Sequence, residues 1–340
     1  MDKVISVIGI DLAKHVFQVC AANKRGQRLF NRAVSRAKLL SMLANIPKCV
    51  VGMEACSSSH YWAREIEMLG HEVKLMPPQY VKPYVKTNKN DVTDADAICE
   101  AVCRPSMRFV AVKSIEQQAL MLLHRDRRGL VRDRTALVNR LRAIMGEFGV
   151  IAPAGLHKFR AWLKNEYGAV ESRLPELMRR HVHVMVLRLR ETDEHIELLE
   201  SEIHGNASST DDCKRLREVP GIGPLTASAL VASLGDIKSF SNGRAFAAWL
   251  GLVPKQHSSG GKNKLQGISK RGDGYLRSML IHGARAVIRH LNPNRAVSRW
   301  LKELLCRRHK NVVIVALANK LARTVWALLS RGTRYQEAYS

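Results

Sequence analysis

Four carboxylates occupy positions from which metal-assisted phosphate chemistry is done: Asp11, Glu54, Asp91 and Asp94. Asp11 closes the apolar run Val4-Ile5-Ser6-Val7-Ile8-Gly9-Ile10, and Glu54 closes Cys49-Val50-Val51-Gly52-Met53. Both runs read as buried strands. Asp91 and Asp94 lie three apart at a helix start, so their side chains share one helical face. Carboxylates gathered in this way repel one another unless a cation lies between them. Hard oxygen donors suit Mg²⁺ or Mn²⁺, which complete an octahedron with substrate phosphate, and the set points to phosphodiester chemistry. Each acid alone has an ordinary alternative, since Asp also caps helices and complements the macrodipole. Together, in this order, they favour a metal site.

A second chemical island lies far along the chain. Gly251-Leu252-Val253-Pro254 precedes Ser258-Ser259-Gly260-Gly261-Lys262-Asn263-Lys264, and Ile268-Ser269-Lys270-Arg271-Gly272-Asp273-Gly274-Tyr275-Leu276-Arg277 follows. A serine in a glycine loop between Lys and Arg has the means to attack a phosphodiester, with the cations stabilising charge on phosphate. Serine and glycine are also default loop residues, so composition alone leaves a structural role open. Upstream, Val219-Pro220-Gly221-Ile222-Gly223-Pro224 has the pattern of a helix-hairpin-helix turn. Gly221 and Gly223 there allow a tight turn that aims backbone N–H groups at phosphate. Lys262, Lys264, Lys270, Arg271 and Arg277 are the further candidates for phosphate contact.

The elements that must position these groups divide the chain into three parts, 1–110, 111–205 and 206–340. The first alternates between strand and helix patterns. A strand ending at Asp11, a strand at Val16–Cys20, a turn at Asn23–Gly26 and a strand from Arg28 form an antiparallel meander. A helix near Ala37–Ala44, the Glu54 strand, a helix near Tyr61–Leu69 and a strand at Glu72–Leu75 follow. This order, with an acid in the first strand, is that of a ribonuclease H-like α/β domain. No glycine-rich loop of the doubly wound nucleotide-binding type follows a strand.

The middle part reads as helical. Leu123, Leu130, Leu137, Leu141, Ile144 and Phe148 keep roughly heptad spacing, interrupted by Arg127 and Arg134. Val182, Met185, Leu189, Thr192, Ile196, Leu199 and Ile203 alternate by three and four, so the two stretches suit an antiparallel coiled-coil hairpin. The last part reads as mainly helical, with Asn206–Asp212 as its linker and one irregular island at Pro254–Gly272.

Lys and Arg total 55 against 30 acids, a net charge of +25, and residues 206–340 alone carry 23 basic and 7 acidic residues. A region that basic suits a polyphosphate partner and salt-sensitive association. No apolar stretch is expected to reach membrane-spanning length, and no signal peptide is expected, which leaves nucleic acid as the partner and the cytoplasm as the compartment. The seven cysteines (20, 49, 56, 99, 103, 213 and 306) form no CxxC pair and are expected as buried thiols in a reducing environment.

Over nearly its whole length the chain resembles the DEDD-type insertion-sequence transposases related to Piv-type DNA invertases, insertion-sequence family 110 and its 1111 subgroup. The resemblance is carried by Gly9-Ile10-Asp11, Glu54, Asn90-Asp91-Val92-Thr93-Asp94-Ala95, Pro220-Gly221-Ile222-Gly223, Gly251-Leu252-Val253-Pro254, Ser258-Ser259-Gly260 and Ser269-Lys270-Arg271-Gly272. It implies a RuvC-like N-terminal domain whose acids Asp11, Glu54, Asp91 and Asp94 bind divalent metal. It also implies a coiled-coil connector and a C-terminal domain whose nucleophile is the serine immediately before glycine, Ser259. Further implications are a composite active site built from different protomers of a homodimer or homotetramer, and, in some members, direction by a noncoding RNA that pairs with DNA. The expected activity is site-specific recombination through a covalent phosphoserine–DNA link. A metal-dependent junction-type endonuclease using activated water is the alternative, and a non-catalytic nucleic-acid-binding protein is a more distant one.

Overall fold

A computed structural model describes residues 4–86, 90–262, 264–291 and 296–336, without the side chains of 296–298; Asn263 of the serine loop lies outside them. By backbone contacts the chain divides into two compact units, Met1–Gln118 with Leu234–Asp236, and Ala119–Ser233 with Ile237–Ser340.

In the first unit, strands whose central members are buried almost continuously, because both faces are covered, build a five-stranded mixed sheet in the order β3-β2-β1-β4-β5. The strands are β1 (Val7–Asp11), β2 (Val16–Ala22), β3 (Arg28–Ser35), β4 (Val50–Glu54) and β5 (Glu72–Met76). β1, β2 and β3 form the antiparallel meander, while β4 runs parallel to β1 and β5 parallel to β4. Helices α1 (Leu39–Ala44), α2 (Ser59–Met68), α3 (Pro78–Val81) and α4 (Asp91–Val102) accompany the sheet. Ile8, Ile10, Val51 and Met53 face Leu39, Leu43, Trp62 and Ile66 on one side. Val7 and Cys20 face Ala95, Ile98, Cys99 and Val102 of α4 on the other. This arrangement is compatible with a ribonuclease H-like domain.

The second unit is mainly helical. Helix α5 (Ile115–Glu147) begins in the first unit, and α6 (Leu156–Asn165), α7 (Tyr167–Val170) and α8 (Glu176–Ser209) follow it. α5 and α8 run antiparallel, because Arg127 pairs with Glu200 and Arg134 with Asp193, seven residues along one helix matching seven back along the other. The two arginines that interrupt the apolar repeat are therefore bridges across the hairpin. On α8 the buried row is Val182, Met185, Leu189, Ile196, Leu199, Ile203 and Ala207, as the spacing predicts except that Thr192 is only half-buried. On α5 it is Leu120, His124, Leu137, Val138, Leu141 and Met145, so Phe148 is exposed rather than part of the seam.

Three expectations are corrected here. Asn206–Asp212 is not a linker: α8 runs to Ser209 and α9 (Asp211–Arg217) begins two residues later. Asp211 and Asp212 in the first turn of α9 pair with Lys214 and Arg215, which supports the start of that helix, and only Thr210 between the two helices is extended. Three of the cysteines, Cys56, Cys103 and Cys306, are exposed. One described helix is long and apolar enough to cross a membrane, the 22-residue α14 (Lys310–Arg331). It buries Val313, Leu317, Leu321 and Val325 and packs against α11 (Gly243–Trp249) and α12 (Gly274–Arg289), as the core helix of a globular unit does.

α10 (Pro224–Ser233) and α13 (Ala296–Arg307) complete the helices. The island at Pro254–Gly272 is more regular than its composition predicts. β6 (Pro254–Gln256) and β7 (Leu265–Ile268) pair antiparallel within it.

Candidate functional site

Asp11 and Glu54 end adjacent parallel strands whose register sets Gly9 beside Gly52 and Ile10 beside Met53. Side-chain direction follows from parity along each strand. Gly9, two residues before Asp11, lies so close under α4 that an added Cβ would meet Cys99 N at 2.5 Å and Ala95 O at 2.7 Å. Gly52, two residues before Glu54, would meet Val102 Cβ at 2.8 Å. Both carboxylates therefore leave the sheet on the α4 side. The thiol of Cys56, partly covered although the residue is exposed, is pushed up by that partial desolvation first and then by the negative charges of Glu54 and Asp11. The glycines two residues before each acid were a signal available in the sequence, because they let α4 settle directly on the sheet.

The start of α4 is fixed by a reciprocal cap. Asn90 Oδ1 accepts from Thr93 N at 2.9 Å, and Asn90 N donates to Thr93 Oγ1 at 3.2 Å. The Asn90–Ala95 motif thus divides its labour: Asn90 and Thr93 hold the helix start, which places Asp91 and Asp94 in the first turn. Asp96 is tied elsewhere, accepting from Arg28 Nη1 at 2.9 Å and Asn31 Nδ2 at 2.8 Å. That connection anchors α4 across the meander. The structure thus brings Asp11 together with Glu54, and Asp91 with Asp94. Among the described residues, no group of three or more His, Cys, Asp or Glu side chains is drawn together as a metal ion requires.

In the second unit, the β6–β7 hairpin carries the two serines. Ser259 and Lys262 form an antiparallel bridge, with Lys262 N donating to Ser259 O at 3.1 Å. The intervening Gly260 and Gly261 have φ of 55° and 74°. Positive φ at both central positions is the pattern of a type I′ hairpin turn, which glycine enters without steric cost. Ser258 Oγ accepts from Gln256 Nε2 at 3.1 Å, a partner the sequence did not single out. Ser259, Lys262 and Lys264 are exposed on this projection.

The flanking motifs strap the base of the hairpin. Ser269 N donates to Val253 O at 2.8 Å and Lys270 N to Gly251 O at 3.1 Å. Arg277 Nη1 donates to Leu250 O at 3.0 Å and Arg271 O at 3.1 Å, so this guanidinium clamps two chain segments. Lys270 and Arg271 remain exposed. Asp273 caps α12, its Oδ1 accepting from Tyr275 N at 2.7 Å and Leu276 N at 3.2 Å. In the turn between α9 and α10, Gly221 (φ 92°) packs against Gly283 of α12, where a Cβ on Gly283 would meet Gly221 O at 1.9 Å. Gly221 is thus used for packing, whereas Gly223 is exposed at the start of α10.

A mixed sheet with carboxylates at its strand ends, followed along the chain by a basic helical region with a serine hairpin, defines the class of enzymes that act on nucleic-acid phosphodiesters. Residues 8–149 match the profile of the DEDD transposases of IS110 type, described as transposase, and residues 213–301 match that of the transposase IS116/IS110/IS902 family. A probable family 20 transposase of Pseudomonas aeruginosa is 51% identical over 98% of this chain and 99% of its own length. The transposase for insertion sequence element IS1111A of Coxiella burnetii is 44% identical over 98% of this chain and 92% of its own. The pilin gene-inverting protein of Moraxella bovis is 29% identical over 36% of this chain and 38% of its own. The chain belongs to the IS110 family of transposases, enzymes of DNA strand cleavage and joining.

Proposed function

We propose that the chain recombines the ends of its own insertion sequence by attack of Ser259 on a DNA phosphodiester. The observation that carries this reading is the tight hairpin turn, which presents Ser259 on an exposed projection beside Lys262 and Lys264. In the step itself the Ser259 Oγ–P bond forms as the hydroxyl gives up its proton. One P–O ester bond of the strand breaks, and the leaving oxygen takes up a proton. The phosphoserine–DNA link conserves the ester, so rejoining is the same exchange in reverse, whereas hydrolysis would discard it. Lys262 and Lys264 stabilise negative charge on the phosphate.

The donor chemistry of the first unit fits a hard divalent cation, Mg²⁺ or Mn²⁺. Asp11, Glu54, Asp91 and Asp94 are all carboxylates, two on adjacent strand ends facing α4 and two in the first turn of α4. Holding one ion with all four requires them to be drawn closer than they lie here. Such a cation would polarise a phosphoryl oxygen. A noncoding RNA of the element is the proposed guide and a homodimer or homotetramer the proposed assembly. Exposed Arg125 and Arg140 on α5 support a nucleic-acid face along that helix.

The test is a denaturing-gel search for a protein–DNA adduct on nicked suicide substrates spanning the element ends, with Mg²⁺ and with or without RNA transcribed from the element. Wild type and Ser258→Ala are expected to give the adduct, and Ser259→Ala and Asp11→Ala to give none. Cleavage without adduct, indifferent to both serine changes, would establish a hydrolytic endonuclease instead.

A further inference from the structure

Beside the serine hairpin, β6, β7, α13 and α14 enclose an open groove of about 1010 Å³. Its floor is apolar, with Ile268 from β7 and Val312 and Val315 from α14. Its polar lining consists of the amides Gln266, Asn311 and Asn319, the hydroxyl of Thr324 and the cations Lys320 and Arg323, with no carboxylate among the lining residues. Trp300 supplies the aromatic wall, and Lys320 Nζ stands 4.9 Å from its ring centroid.

We propose that this groove receives one unstacked base of the DNA strand led over the Ser259 hairpin, an inference that rests on the function proposed above. The chemistry of the lining selects this occupant. A nucleobase offers a flat π-face to Trp300 and hydrogen-bonding edges to the amides, and its flanking phosphates meet Lys320 and Arg323. Asn319 is already oriented, since its Nδ2 donates to Leu252 O at 3.1 Å. An apolar helix from a second copy would cover the floor but strand three amides and two cations beneath it, which disfavours that occupant. Base–aromatic stacking is stronger than an exposed cation–π contact, so an entering base displaces the Lys320 ammonium from the indole toward phosphate. Gln266 is exposed on β7, two residues before Ile268, so the groove and the serine projection belong to one hairpin. Seating a base there fixes the register of the strand relative to Ser259.

The experiment compares binding of the full chain to three probes by fluorescence anisotropy. They are a DNA duplex with one extrahelical 2-aminopurine, the same duplex fully paired, and an RNA duplex with the same extrahelical base. Wild type should bind the extrahelical DNA about tenfold more tightly than paired DNA, with quenching of the 2-aminopurine. Trp300→Ala should abolish both the preference and the quenching, and Trp300→Phe should restore most of each. Gln266→Ala, an exposed position that cannot disturb packing, should weaken the preference several-fold and guards against misfolding of the Trp300 variant. Equal affinity of wild type for both DNA probes would overturn the proposal, as would preference for the RNA probe. It would also be overturned if Trp300→Ala changed the oligomeric mass by light scattering while leaving the DNA preference intact. Because binding needs no strand cleavage, the adduct gel run on the same preparations separates the two readings. Adduct without base preference sinks the groove, and base preference without adduct sinks the serine mechanism.

Discussion

Gly9 shows how closely single residues set the candidate site. Its missing side chain lets α4 rest on β1, and a Cβ there meets backbone atoms of Cys99 and Ala95 rather than side chains able to turn aside. Gly9→Ala must lift α4, and with it the turn that carries Asp91 and Asp94. Overpacking of this kind costs about 1–3 kcal/mol. The expected result is a melting midpoint several degrees lower, together with loss of strand cleavage. Gly129, inside α5, is the control: a Cβ there meets nothing within 4 Å. Gly129→Ala should raise stability by about 0.5–1 kcal/mol by restricting the unfolded chain and favouring helix. Thermal melts of the two variants beside wild type check both directions, and a Gly9→Ala protein as stable as wild type would refute the close seat of α4. The carboxylates themselves were legible in the sequence, because each closes an apolar run or opens a helix. Their shared orientation toward α4 was not read there, although glycine at the second position before each acid encodes it.

At the scale of elements, His124 is where three helices of the second unit meet. It lies buried on α5, Nε2 against Ser228 Oγ of α10 at 3.0 Å and Nδ1 against Tyr275 OH of α12 at 3.1 Å. Burial first, then the charge of Arg127, lowers its pKa from 6.5 to about 4. A base depressed in the folded state binds fewer protons than its unfolded counterpart between those two values. The stability it contributes is therefore complete above pH 6.5 and is lost as pH falls toward 4. At about 1.4 kcal/mol per unit the full loss is roughly 3 kcal/mol. His60 in the first unit, lowered to about 4 by burial and then by Lys113 and Arg64, acts in the same direction. Melting midpoints measured from pH 6.5 to 5 should fall for wild type and fall less for His124→Gln; equal slopes would remove His124 from the account. The central strands of the first unit follow from near-continuous apolar runs, which burial on both sheet faces enforces, and its helices from helical patterning. Elsewhere tertiary contacts prevailed over local pattern. Arg127 and Arg134 break the α5 repeat because each meets an acid of α8. Polar Asn206–Asp212 is helical on both sides of an extended Thr210, and ion pairs support the start of α9. Pro254 and Gln256 pair with Ile268 and Leu265 of exposed β7, which has no apolar alternation to announce it.

At the scale of the whole molecule, charge is the property the sequence states most plainly, and how far it engages DNA is measurable. The chain carries +25, most of it beyond residue 205. If the exposed lysines of the serine hairpin contact phosphate, each releases counterions, and log affinity for paired DNA falls linearly with log salt by about 0.9 per contact. Lys262→Ala and Lys264→Ala should each make that slope shallower by about one, with little effect on thermal stability, because both side chains are exposed. Arg277→Ala should do the reverse. Its guanidinium is occupied with the carbonyls of Leu250 and Arg271, so its removal loosens the strap beneath the hairpin by about 1–3 kcal/mol and leaves the slope nearly unchanged. Salt titrations of wild type and the three variants, with a thermal melt of each, separate cations that meet DNA from a cation that holds the fold. A slope unaltered by either lysine change would place the DNA-contacting charge elsewhere and deprive Ser259 of its phosphate-binding neighbours.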